Sequence, residues 1–216
     1  NTMGNIARVF GSKGDLEKAL DYHLQILSIS EKIQDTSGIG KSLAEIGENY
    51  VKKGNLKTGL EYLTRSKKIF AELESQYDVV KVQSMMAAIY MEQGSPEEAL
   101  KLLTLNLTYF EETGNKTLIA GGLSNIAGIY VSQGDTKRAL INLEKALEET
   151  GNIPYIAGIS QNIGGIYYDE GNLERALEYT IKSLKLSKEI KSENTTAQAK
   201  QKIGIILADQ GKYNQA

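Results

Sequence analysis

Asn162-Ile163-Gly164-Gly165-Ile166-Tyr167, leading to Gly171-Asn172-Leu173-Glu174-Arg175-Ala176-Leu177-Glu178-Tyr179, is the stretch that decides the fold. The same chemistry returns at Asn125-Ile126-Ala127-Gly128-Ile129-Tyr130, leading to Gly134-Asp135-Thr136-Lys137-Arg138-Ala139-Leu140. Gly14, Gly54, Gly94, Gly134, Gly171 and Gly211 hold the same place in six copies of this pattern, at intervals of 40, 40, 40, 37 and 40 residues. A fixed period of that length marks a stacked repeat array.

Seven residues before each of those glycines stands only Ala or Gly: Ala7, Gly47, Ala87, Ala127, Gly164 and Gly204. Five residues after it the same holds for Ala19, Gly59, Ala99, Ala139, Ala176 and Ala216. A small residue on each side of a turn predicts two helices that cross with their backbones close together. Larger apolar side chains surround the crossing, among them Ile126, Tyr130 and Leu140, at spacings that share one helical face. The turn itself reads as a helix end in a left-handed Gly, then an N-cap at Asp15, Asn55, Ser95, Asp135 or Asn172. Pro96 fits the first helical position, and Gly211-Lys212 lacks the capping side chain. The repeating unit is a helical hairpin.

This combination of small residue, aromatic, Gly-Asp/Asn turn, Ala and Leu resembles the tetratricopeptide repeat over essentially the whole chain. The usual period of that family is about 34 residues. The longer period here is similar to the extended variant of kinesin light chains, Pins/LGN-type adaptors and bacterial regulators. The resemblance implies an all-α fold, a right-handed superhelical solenoid of antiparallel hairpins. The units are expected at 1–34, 35–74, 75–114, 115–151 and 152–191, with a partial one at 192–216. First helices are expected at 2–13, 37–53, 77–93, 116–133, 154–170 and 194–210, and second helices at 15–33, 55–74, 95–112, 135–149 and 172–190. Glu111-Glu112-Thr113-Gly114-Asn115 recurs as Glu148-Glu149-Thr150-Gly151-Asn152, three residues nearer its turn Gly. The fourth second helix should therefore be nearly one turn short, with a local change of superhelical pitch after it. Neither end reads as a polar cap, so the chain is expected to be an excerpt of a longer protein.

Composition narrows the chemistry. With no Cys there is neither a disulfide framework nor thiolate catalysis, as expected for a cytoplasmic protein. A net charge of −2, with Lys and Glu interspersed, gives no general drive towards nucleic acid. No apolar run approaches a membrane span, so no membrane partner is expected. Ser37-Gly38-Ile39-Gly40-Lys41-Ser42 resembles a phosphate loop only superficially, because its first required Gly is Asp35. His23 is the single His, without the second His or Cys that a zinc site needs. It is expected to be packed or solvated rather than catalytic. No enzyme signature, cofactor or metal is expected.

Family geometry then supplies the candidate surface. Groove-facing positions lie ten, six, three and two residues before each turn Gly. They place Arg8, Glu48, Val51, Lys52, Ser84, Ala88, Met91, Ser124, Gly128, Val131, Gln161, Gly165, Tyr168 and Asp169 on a peptide-binding wall. Val51, Met91, Val131 and Tyr168 form an apolar row, and Ala88, Gly128 and Gly165 leave a floor almost without side chains. That floor is read either as a trough for a peptide or as relief of crowding between hairpins. A chaperone-type carboxylate clamp fits only at Arg8, and the Asn ladder of Pins/LGN-type adaptors is replaced by Gly128 and Gly165. Asn125 and Asn162 are expected to bond between helices. The leading expectation is an interaction scaffold for a protein or peptide. A peptide- or ligand-sensing regulatory module is the second reading, and end-to-end self-association the third.

Overall fold

The computed structural model describes residues 2–211. Eleven α-helices and no strand occur among them: α1 (Thr2–Ser12), α2 (Leu16–Lys32), α3 (Thr36–Lys52), α4 (Leu56–Glu72), α5 (Gln76–Glu92), α6 (Pro96–Glu112), α7 (Lys116–Ser132), α8 (Thr136–Glu149), α9 (Ile153–Asp169), α10 (Leu173–Glu189) and α11 (Glu193–Asp209). The expected helix ends agree with these to within two residues. The second helix expected for the sixth unit, with Ala216, falls outside the described residues.

The turn chemistry is as the sequence dictates. Gly54 and Gly134 stand at φ 79° and 75°, where a side chain would be strained. The side chains of Asp15, Asn55, Asp135 and Asn172 then accept the backbone N–H of Lys18, Thr58, Arg138 and Arg175. The turns between hairpins have the same form, with a left-handed Gly kept only at Gly114, φ 64°. Gln34, Glu74 and Lys191 occupy the left-handed region at φ 56°, 54° and 55°, and Asp35, Ser75 and Ser192 close the turn by donating to the carbonyls of Ser30, Phe70 and Ser187. α8 breaks this rule. It has 14 residues where α10 has 17, and it ends at an extended Thr150 (φ −106°, ψ 131°). The shortening read from the sequence is there.

Two compact units are described separately, Asn1–Asn106 and Leu107–Ala216. In the first, α3 crosses α4 at Gly47 and Gly59, where a Cβ on either would lie 3.0 Å from the other's carbonyl oxygen. Leu20, Leu27, Leu43 and Ile46 make one buried cluster of this unit, and Leu63, Phe70, Val79, Val82, Met86 and Ile89 make another. Each such side chain contributes roughly 1.5–3 kcal/mol by leaving water. Ser66 donates to the Gly40 carbonyl at 2.7 Å, tying the second hairpin across its own core. In the second unit α7 pairs with α8 and α9 with α10. Ala127, Ala139, Gly164 and Ala176 are buried at these crossings, and an Arg covers each tyrosine: Arg138 over Tyr130 and Arg175 over Tyr167.

Candidate functional site

In the second unit, α7, α9 and α11 lie side by side and line an open cavity of about 420 Å³. Val131, Ile166 and Ile205 supply its apolar lining, and Gln161, Asn162, Gln198 and Gln201 supply carboxamides. Gly165 leaves its floor open, and Asp169 and Lys202 add opposite charges. A Cβ built on Gly165 or on Gly128 meets no atom within 4 Å. Neither glycine is needed to relieve crowding, which removes the packing explanation for both. The tight positions are their neighbours at the crossings, such as Gly164, where a Cβ would lie 2.8 Å from Thr180 Oγ1.

Two side-chain ties join α9 to α11 beside this cavity. Gln161 Nε2 donates to Gln198 Oε1 at 3.1 Å, and the Tyr168 hydroxyl donates to the Asp209 carboxylate at 2.6 Å. The Lys202 ammonium lies 3.7 Å from the centre of the Tyr168 ring. The hydrogen bond to Asp209, with desolvation and the nearby carboxylate charges, raises the Tyr168 pKa above its ordinary value. The phenol therefore stays neutral and acts as a donor.

The other groove positions divide by what they touch. Val131 is 43% exposed, and Ala88 and Gly128 are exposed as well. Val51 is half-buried, packs on the core of the first unit and sits against Gly59, so it faces the α3–α4 crossing. The hydroxyls of Ser84 and Ser124 donate to carbonyls of their own helices, at Val80 and Ala120, and Ser84 also accepts from Asn106. Arg8 is exposed and bonded to Asn5, while Glu48 and Lys52 pair with each other at 2.7 Å. Met91 is half-buried and Asp169 exposed. Asn125 and Asn162 correct an expectation. Both are exposed, and among the described residues neither makes an inter-helix hydrogen bond, because their place on the helix turns them away from the crossing.

Other motifs resolve simply. The Gly38 N–H that a phosphate would need is held by the Asp35 carboxylate at 2.9 Å, an N-cap of α3. Among the described residues there is no cluster of three metal-ligating side chains, and no helix is long and apolar enough to cross a membrane. Gln198 and Lys202, both lining the cavity, were missed from sequence because family geometry does not place their positions in the groove.

Family models described as tetratricopeptide repeat match residues 78–148 and 157–190. Those two segments are tetratricopeptide repeats. This repeat chain superposes on aspartyl phosphate phosphatase F from Bacillus subtilis with a TM-score of 0.82 at 18% identity, covering 95% of this chain and 56% of that one. For BtubC from P. vanneervenii the TM-score is 0.79 at 16% identity, covering 92% and 85%. The apo quorum sensor NprR from B. thuringiensis gives 0.72 at 19% identity, covering 98% and 60%. At these identities the likeness is one of fold. No curated protein matches the sequence.

Proposed function

We propose that this repeat chain is a binding module that receives a peptide of a partner protein on the wall made by the first helices of its hairpins. The observation that carries the reading is the cavity between α7, α9 and α11, with its Gly165 floor, apolar Val131 and Ile205, and the carboxamides of Asn162 and Gln201. Apolar surface supplies affinity, and a few polar groups fix orientation. Gly128 and Gly165 lower helix propensity by about 1 kcal/mol each relative to Ala. Close approach of a partner accounts for their presence, since nothing in the fold needs them.

A sensing role within a larger regulator is the second reading. It is favoured by the peptide-scale cavity together with neighbours whose names are those of sensors, NprR and a signal-transduction ATPase from Pyrococcus horikoshii with a tetratricopeptide-repeat sensor. Under it, a ligand that breaks the Gln161–Gln198 and Tyr168–Asp209 ties would change how α11 sits on α9. A cytoplasmic site of action is part of the proposal. Affinity capture from the source cells tests the common core of both readings. Partners held by the native chain should be lost from Val131→Glu and Gly165→Leu while the helical spectrum is retained. An unchanged set of partners on both variants refutes the wall as the binding surface.

A further inference from the structure

One buried position in the first unit departs from its repeat equivalents. Nine residues after the turn Gly, the second helix buries Leu63, Leu103 and Leu143, and Thr180 in the fifth hairpin. The first hairpin has His23 there, only 5% exposed. Thr180 donates its hydroxyl to the Ala176 carbonyl at 2.6 Å. His23 makes no hydrogen bond among the described residues, and its nearest ionic group is the Glu45 carboxylate, 3.8 Å from Nε2. Facing cavities without a protein hydrogen bond, an imidazole adds less stability at this place than a packed leucine would. A local choice that opposes the fold points to a use outside it.

The surroundings show what that use can be. His23 lines two cavities, of about 270 Å³ and 250 Å³, and Arg8 and Glu45 line both with it. The charged groups facing it are Arg8 from α1 and Lys41, Glu45, Glu48 and Lys52 from α3. Glu48 and Lys52 neutralise each other. Arg8 and Lys41 have no carboxylate partner among the described residues, so two cations stand against Glu45 alone.

We propose that these cavities form a proton-linked site for an acidic peptide segment, with Arg8 and Lys41 holding its carboxylates and His23 neutralising Glu45 when it takes up a proton. The proposal rests on the peptide-binding reading above and adds the place, the ligand class and the pH dependence. Two of its groups, His23 and Lys41, lie outside the positions that form the family's carboxylate clamp.

Burial holds the free imidazole below its ordinary pKa, against the pull of Glu45 and Glu48. In neutral solution it is uncharged, and the Glu45 charge opposes an incoming anion. A bound carboxylate brings negative charge beside the imidazole and strengthens its hold on a proton. By reciprocity, acidification tightens binding of that carboxylate. An upward shift of one pH unit in the His23 titration corresponds to about tenfold in affinity.

The test uses phage-displayed random dodecapeptides selected on the whole chain at about pH 6, then measured at about pH 6 and 8 in the window where His titrates. The enriched peptides should carry Asp or Glu, lose roughly two- to fivefold in affinity at the higher pH, the part of the tenfold limit that falls inside this window, and fail to bind Arg8→Ala. In His23→Leu, which copies Leu63 and should melt no lower than the native chain, the pH dependence should vanish. Enriched peptides without carboxylates overturn the proposal, as does a pH dependence that survives in His23→Leu. Peptides that lose binding with Gly165→Leu but not with Arg8→Ala uphold the wall in the second unit and overturn this site. Absence of any enrichment overturns both.

Discussion

Replacing Gly128 and Gly165 by Ala should make the chain more stable. Each lies inside a helix, in α7 and α9, and a Cβ on either meets nothing within 4 Å. The substitution then gains helix propensity and loses unfolded-chain freedom without strain, about 0.4–1 kcal/mol per site. With no shared partner the two effects add to about 1–2 kcal/mol. For a chain of this size that is a rise of roughly 2–8 °C in melting temperature. Gly47→Ala is the control. Its Cβ would stand 2.9 Å from Leu63 Cγ and 3.0 Å from the Gly59 carbonyl oxygen. Overpacking of about 1–3 kcal/mol there should cancel or exceed the propensity gain. Thermal and urea melts followed by far-ultraviolet circular dichroism read all three variants. A lower melting temperature for Gly128→Ala or Gly165→Ala refutes the reasoning, because it would mean that the fold itself requires those glycines.

Three further outcomes follow from named contacts. Ala139→Leu, at a fully buried crossing of α7 and α8, should cost about 1–3 kcal/mol, whereas Lys137→Leu at an exposed site should change little in a urea titration. Asn172→Ala removes the acceptor for the Arg175 N–H and should cost about 1 kcal/mol, with amide exchange in the first turn of α10 reporting the loss. His23 is held below its ordinary pKa of about 6.5, so the unfolded chain binds a proton that the folded chain does not. Stability from this group is present above about pH 6.5 and declines as acid is added through that value, levelling off once the folded chain also takes the proton. Melting temperatures of the native chain should show this decline and those of His23→Leu should not.

Local backbone chemistry made most of the fold legible in advance. Gly54 and Gly134 sit at positive φ because the turn demands it, and Gly47 and Gly59 face each other at contact distance, so both kinds of Gly leave a periodic trace in the sequence. Gly114 apart, the left-handed residues between hairpins leave none. Gln34, Glu74 and Lys191 stand there with the same closing bond that the Gly turns make, as from the Asn55 N–H to the Tyr50 carbonyl. The directions of the candidate wall side chains were not legible. Val51 shares the register of Val131, yet Gly59 opposite leaves a hollow that draws it into the crossing. Ser84 and Ser124 spend their hydroxyls on their own helices, which a groove register cannot anticipate. His23 was visible as a break in the Leu63, Leu103, Leu143 series, but its cavities depend on how α1 and α3 flank α2.

The early end of α8 has a practical consequence. Thr150 and Gly151 form a seam where the chain runs extended, exposed at Gly151, before Asn152 starts α9 afresh by accepting the Tyr155 N–H. Whatever is spliced in at Gly151 leaves the cap that follows it intact. A fluorescent reporter or a new chain terminus introduced at this seam should be accommodated where the same insertion inside the closed turns at Glu74 or Lys191 would not.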